Sequence, residues 1–279
     1  MQIPILTYHH ILSPDAMDRE ILNSPFVIST DQFQKQMKFL YLNQYKVINF
    51  DRLHKLLNNG NNHQFKQTWS KFVLITFDDG WKDNYEYAFP ILKSFGFAAT
   101  FFVITGKIGL QEFLSWDELA EMHKDGMQIE SHTHSHNPLE LLPDSKIQWE
   151  LEHSKALLED HLYKKVRFIS FPHGSYNQKV IGAAKDSRYI ACGTSNTGYI
   201  KRSSQLHVLP RIMIRKHYGI SEFKKFCECR IGYIMKSMFI QRTKNRFKDI
   251  IGLKNYMILH SKIYHTRMPD FEIVEEKKL

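Results

Sequence analysis

The feature that most restricts the fold is a chain-long alternation of short apolar runs with amphipathic segments. "IPILTYH", "YKVINF", "KFVLITF", "FAATFFVIT", "MQIES", "VRFISF", "YIACGT" and "HVLPRIMI" read as strands, rich in β-branched and aromatic residues. Several are apolar at nearly every position, the pattern of parallel strands covered on both faces. Between them, "STDQFQKQMKFLYLNQ" has an N-cap at Ser29 or Thr30 and a stripe of Phe33, Met37 and Leu40. "SWDELAEMHKDG" starts at Ser115 and stops at Gly126, and "DSKIQWELEHSKALLEDHL" starts at Asp144. In "DNYEYAFPILKSFG", Gly96 reads as the C′ residue, and Pro90 must kink the helix or sit near one end. The alternation predicts an α/β fold, a mainly parallel sheet rolled into a distorted (β/α) barrel. With 279 residues, the chain can bury one such core.

Cysteine occurs three times, so a disulfide framework is excluded, and Cys227 and Cys229 read as incidental thiols. No basic n-region precedes a long apolar run, and no stretch approaches the roughly 18 apolar residues of a membrane span. The expectation is a cytoplasmic protein. "NNGNNHQ" (58–64) reads as a polar loop tip. Most of the net charge of +9 lies beyond residue 229: from Arg230 to Met268 there are nine Lys or Arg against a single acid, Asp249. That shift divides the chain into a domain over 1–229 and a basic amphipathic extension, helical in pattern, over 230–279. Such a segment suits peripheral contact with anionic membrane at the inner face, or a terminal helix that packs on the barrel with a solvated basic side. Nucleic acid is not an expected partner, because no basic–aromatic recognition motif accompanies the charge.

Two polar clusters interrupt the apolar runs. "VLITFDDGW" places Asp78 and Asp79 where a strand meets Gly80, the end at which parallel folds carry their sites. A turn at Gly80 lets both carboxylates reach one cavity, where a cation or shared proton would hold them. A helix N-cap with a solvated neighbour is the alternative. "IESHTHSHNPL" supplies His132 and His136, spaced to converge on one ion, with His134 pointing elsewhere. Asp79, His132 and His136 together make a two-histidine, one-carboxylate set with open positions, a catalytic pattern for zinc or a similar divalent metal. At the N-terminus, "PILTYHHIL" adds adjacent His9 and His10, which alternation turns to opposite faces of a strand.

These residues resemble the NodB-type polysaccharide deacetylases, over residues 3 to 225 or so. "TFDDG" (76–80) is similar to the family's first motif, "SHTHSH" (131–136) to its second, and "FPHGSYN" (171–177) to its third. The resemblance implies a distorted barrel and a divalent metal on Asp79, His132 and His136: zinc, with cobalt, nickel or manganese as alternatives. It makes Asp78 the general base of a metal-assisted attack of water on an acetamide. The Pro172–His173–Gly174 turn lines the substrate groove, with a peptide N–H near His173 for the oxyanion. Trp116 matches an aromatic that walls the pocket. The third motif's usual Arg is Ser170 here, and Arg211 in "LPRIMI" is the candidate replacement. The general acid falls to His9, as in the poly-N-acetylglucosamine deacetylase branch, or else to His260 in "ILH". The implied partner is an N-acetylated glycan or a lipid-linked amino sugar of the cell envelope. Two rival readings are an amidase of the same fold acting on a ureide or cyclic imide, and a catalytically silent carbohydrate-binding protein.

Overall fold

The computed structural model describes residues 2–13, 15, 24–58, 71–253, 255, 256, 258 and 259. Most of the polar loop tip and His260 lie outside the described residues. In chain order the strands are β1 (Ile5–Tyr8), β2 (His10–Leu12), β3 (Val27–Ser29), β4 (Lys46–Val47) and β5 (Phe72–Phe77). They continue as β6 (Thr100–Val103), β7 (Gln128–Ser131), β8 (Phe168–Ser170), β9 (Ala191–Thr197) and β10 (Leu209–Met213). The helices are α1 (Thr30–Leu42), α2 (Phe50–Asn58), α3 (Phe89–Ser94), α4 (Trp116–Lys124), α5 (Asp144–Leu162), α6 (Gln178–Asp186), α7 (Ile220–Cys227) and α8 (Ile231–Ile251).

The sheet runs β1-β10-β9-β8-β7-β6-β5-β4, and a further β1–β5 pairing closes seven strands into a parallel barrel. β4 extends the sheet beside the start of β5, and β2 and β3 form a separate parallel pair. The opening "PILTYHH" run is therefore not one strand: β1 ends at Tyr8, and His9 separates it from β2. "YKVINF" contracts to two strand residues, because Asn49 caps the next helix by accepting from Arg52 N. Ser29 caps α1, and Ser115 with Glu118 forms a reciprocal capping box on α4. The proline-containing segment divides into a π turn (Asn84–Ala88) and α3, with Pro90 in the first turn, where its missing N–H costs no hydrogen bond.

Alternation along the strands sets the interior. Ile5, Leu74, Phe102, Phe168 and Leu209, from strands that are not all neighbours, meet Phe50, Leu53 and Leu56 of α2 in one cluster that plugs the barrel. Burying each large apolar side chain contributes about 1.5–3 kcal/mol. Two residues further along their strands stand Thr7, Thr76, Ser170 and Arg211, all buried, with the Thr76 hydroxyl donating to Thr7 Oγ1 at 2.9 Å. Two further still on β1 and β5, past the strand ends, come His9 and Asp78. The intervening positions, including Val73, Ile75, Phe77, Phe101, Ile129 and Ile169, belong to the larger cluster under the helices.

The barrel is uneven at one seam. β7 and β8 share a single register pair, Ser131 with Ile169. Below it the buried Glu130 carboxylate accepts from the Arg167 and Phe168 N–H groups at 2.9 Å, standing in for the absent ladder.

Candidate active site

At the C-terminal end of β5 the chain turns through Asp79 (φ 77°) and Gly80 (φ 81°). The left-handed turn is what brings two consecutive carboxylates to the same mouth. Asp79 Oδ1 lies 3.4 Å from His132 Nε2 and 3.3 Å from His136 Nε2. The three donor atoms lie within 4.8 Å of one another, the one such group of three or more among the described residues. His132 Nδ1 donates to the Ser170 carbonyl at 2.7 Å, which fixes the tautomer and leaves the Nε2 lone pair for a ligand. Burial would raise the Asp79 carboxyl, yet His132 and His136 hold it well below the ordinary carboxylate range.

The histidine loop is a tight turn, with Thr133 and His136 at positive φ. Its anchor was not legible in the sequence: Glu150 of α5 accepts from the His134 and Ser135 N–H groups at 2.9 Å and from Ser135 Oγ at 2.5 Å. His134 shares a hydrogen bond with Thr105 Oγ1 at 3.0 Å, away from the Asp79 group.

Asp78 is held differently. Arg211 Nη1 donates to Oδ1 and Nη2 to Oδ2, each at 2.8 Å, and Nη2 also donates to Ser170 Oγ at 2.8 Å. Ser170 Oγ donates to Asp78 Oδ2 at 3.2 Å, so the serine found where the family motif carries arginine bridges the pair. Gly193 makes room for this: a Cβ there would stand 3.1 Å from Arg211 Nε. Burial works to raise the Asp78 carboxyl, but the Arg211 guanidinium prevails and lowers it.

His9 lines the same cavity, its ring 4.8 Å from that of Phe26, and its Nδ1 is enclosed without a hydrogen-bond partner. Burial lowers its pKa against the pull of Asp79 and Asp78. His10 turns the other way, donating from Nδ1 to Asp83 Oδ2 at 2.5 Å, and its ring packs at a tilt 4.3 Å from that of Trp81. The Trp81 indole N–H in turn donates to Asp79 Oδ2 at 3.0 Å. Oδ2 is thereby occupied while Oδ1 faces the two imidazoles.

The cavity holds about 780 Å³. His173 lines it, its ring 4.6 Å from that of His136. Gly174 follows at φ 64°, and any Cβ there would sit 2.5 Å from Ser195 Cβ. Pro172 is buried and shapes this turn from behind. Trp116 departs from expectation: it stacks on His161 at 3.9 Å, between α4 and α5, and does not wall the cavity. A tryptophan at the first position of α4 faces the next helix; the aromatic residues that line the cavity include Phe26, Phe171 and Tyr218.

A family model described as polysaccharide deacetylase matches residues 65–191. The chain is similar to YxkH of Bacillus subtilis (strain 168), provisionally named a polysaccharide deacetylase. The identity is 32% over 227 residues, or 81% of this chain and 76% of that protein. A poly-beta-1,6-N-acetyl-D-glucosamine N-deacetylase of Staphylococcus aureus (strain MRSA252) is 28% identical over 232 residues, 75% of this chain and 77% of its own. Among solved structures, the deacetylase PplD of Streptococcus pyogenes in complex with acetate is similar with a TM-score of 0.74 at 29% identity. The match covers 81% of this chain and 98% of that one.

Proposed function

Since this chain belongs to the polysaccharide deacetylase family, we propose that it removes acetyl groups from N-acetylhexosamine residues of a glycan, with Asp79, His132 and His136 holding a divalent metal. The observation that carries this reading is the pairing of that three-ligand group with a separately clamped carboxylate, Asp78, at one cavity. Two imidazoles and one carboxylate suit zinc, or cobalt, nickel or manganese, and three protein ligands leave positions open. Bound there, the ion would polarise the acetamide carbonyl and make water acidic enough to attack near neutral pH.

The remaining work falls to the chain's own groups. Arg211 keeps Asp78 ionised and fixes its plane, so a carboxylate oxygen is available to take the proton of the attacking water. The Gly174 and Ser175 N–H groups already donate to Phe171 O and Pro172 O, so the oxyanion donor in this turn is the His173 N–H. Burial disfavours the charged form of the His9 ring; His9 donates a proton to the departing amine, and the proton taken up at Asp78 balances that loss over the cycle. Residues 1–229 are the catalytic unit, and the segment from 230 onward completes one wall of its cavity.

A second element of the reading concerns the outer side of α8. Met235 is 60% exposed, Phe239 71% and Ile250 81%, beside exposed Arg242 and Arg246. We propose that this side contacts anionic membrane peripherally, which would bring lipid-linked amino sugars within reach. No helix among the described residues is long and apolar enough to cross a membrane.

The deciding experiment measures acetate release from free, polymeric and lipid-linked N-acetylhexosamines, with and without chelator, for the native chain and Asp78→Asn. Chelator-sensitive release that Asp78→Asn abolishes while retaining metal is the expected result. Release from none of the metal-replete reactions, or release indifferent to chelator, refutes the assignment. Flotation with anionic vesicles, comparing the native chain with Phe239→Ser, tests the membrane contact; equal recovery would dismiss it.

A further inference from the structure

α8 does more than terminate the chain. Ile234, Ser237, Gln241, Lys244 and Lys248 recur at three- and four-residue intervals, so they share one side of the helix, and all five line the active-site cavity. The helix is fixed across the mouth. Ile234 is 1% exposed in the core, and Gln241 donates to Asn245, which donates to Asn196 at the end of β9, which donates to the Tyr176 hydroxyl. Lys244 stands beside Asn245 in this relay and enters the cavity wall with Ser195 and Thr197 of β9, next to the turn that carries His173.

A second cation lines the same cavity. Arg215, two residues past β10, lies 5.7 Å over the ring of Phe26, the ring that also contacts His9. The cavity's acids are Asp78 and Asp79, and both are engaged: Asp78 by Arg211, Asp79 by its two histidines. Among the described lining residues Arg215, Lys244 and Lys248 are cations, and the two carboxylates are already engaged.

We propose that Arg215 and Lys244 form a phosphate subsite and that the substrate is an N-acetylhexosamine bearing a phosphoester next to the acetamido sugar. The proposal rests on the deacetylase reading and names the substrate class for it. A planar guanidinium and a lysine ammonium suit the tetrahedral, multiply charged oxygens of a phosphoester and have no counterpart on a neutral glycan. The reaction is unaltered: water cleaves the amide C–N bond, acetate and the free amine leave, and the phosphoester stays intact. A soluble sugar phosphate, a nucleotide sugar and a polyprenyl-phosphate-linked sugar share this chemistry.

The test compares kcat/KM for acetate release from N-acetylglucosamine 1-phosphate and from its neutral methyl glycoside, using the full metal-loaded chain. A preference of about tenfold or more for the phosphorylated sugar at low salt is expected, shrinking as salt screens it. Arg215→Gln and Lys244→Gln should each cut that preference by roughly fivefold, the worth of a part-exposed charge pair. Lys236→Gln, an exposed cation on the outer side of α8, should leave the ratio as it was. Equal turnover of both sugars, or a ratio that survives both cavity substitutions, overturns the proposal. Nucleotide-linked and polyprenyl-linked sugars run in parallel identify which source of the phosphoester is used best. Calorimetric binding of the same two sugars to Asp78→Asn reads the subsite without turnover. If no substrate yields acetate, the deacetylase reading fails; the subsite still stands or falls on whether the phosphorylated sugar binds more tightly and whether Lys244→Gln removes the difference.

Discussion

Replacing Arg211 with methionine strands the Asp78 carboxylate. Arg211 is 1% exposed and makes four hydrogen bonds, two to Asp78, one to Ser170 Oγ and one from Nε to the Thr194 carbonyl. Methionine fills part of the volume and supplies none of them. The carboxylate, in a residue 3% exposed, keeps Ser170 Oγ at 3.2 Å as its neutral donor. Breaking a buried pair from one side costs about 3–5 kcal/mol, chiefly through the uncompensated charge. At about 2–4 °C per kcal/mol for a domain of this size, Tm falls by roughly 6–20 °C. Adding Asp78→Asn removes the stranded charge and recovers at least about 2 kcal/mol of that loss. The pair also has a pH signature. Because the folded-state pKa of Asp78 lies below its unfolded value, the native pair stabilises fully above about pH 4 and weakens as pH falls through the lower folded value. In Arg211→Met, burial acts on the carboxyl without that opposing charge, and this acid-side dependence disappears. The assay is urea unfolding followed by circular dichroism on the four proteins of the cycle, at one fixed free-metal concentration. A coupling energy under about 0.5 kcal/mol would refute the claim that the two residues act as a buried pair.

His9→Ala should reduce acetate release by about 10²–10⁴-fold while metal content, read by mass spectrometry, stays stoichiometric; near-normal turnover would transfer the acid role elsewhere. Glu150→Ala removes the carboxylate that pins the histidine loop, and should weaken metal binding about 10–100-fold in a competition titration. Trp81→Phe keeps an aromatic ring but deletes the indole donor to Asp79 Oδ2, and should cut metal affinity less than Glu150→Ala does. Gly174→Ala forces a Cβ against Ser195 at a positive φ, and should lose activity; Ser195→Gly in the same chain should restore part of it, and no restoration would mean the clash is not the cause.

The barrel was legible because β5 and β6 carry nearly continuous apolar runs, and because Ser29, Ser115 and Gly96 punctuate the helices as their chemistry requires. Asp78, Asp79, His132 and His136 were legible because each pair is close in sequence and sits just past a strand. Contacts between distant residues were not. Glu150 reaches the histidine loop from the middle of a helix, where a glutamate reads as solvated surface. His10 and Asp83 are 73 residues apart, and no local pattern announces that they brace Trp81. Trp116 illustrates the opposite error: a tryptophan near a motif was read toward the cavity, when the first turn of α4 commits it to α5. The basic segment left two readings open, a membrane-surface element and a helix packed on the barrel, because charge counts do not say which side of a helix faces inward.

The thin seam between β7 and β8 divides the site by order of synthesis. Strands β1, β5, β6 and β7, with the histidine loop, form an arc complete by residue 136 and pinned by residue 150. The whole Asp79–His132–His136 group belongs to that arc. Ser170 and Arg211, which clamp Asp78, arrive on the later arc of β8, β9 and β10. A nascent chain can thus bring Asp79, His132 and His136 together before Arg211 arrives to orient the base, and the last joint to form, β10 against β1, is the one that turns a binding site into a working one.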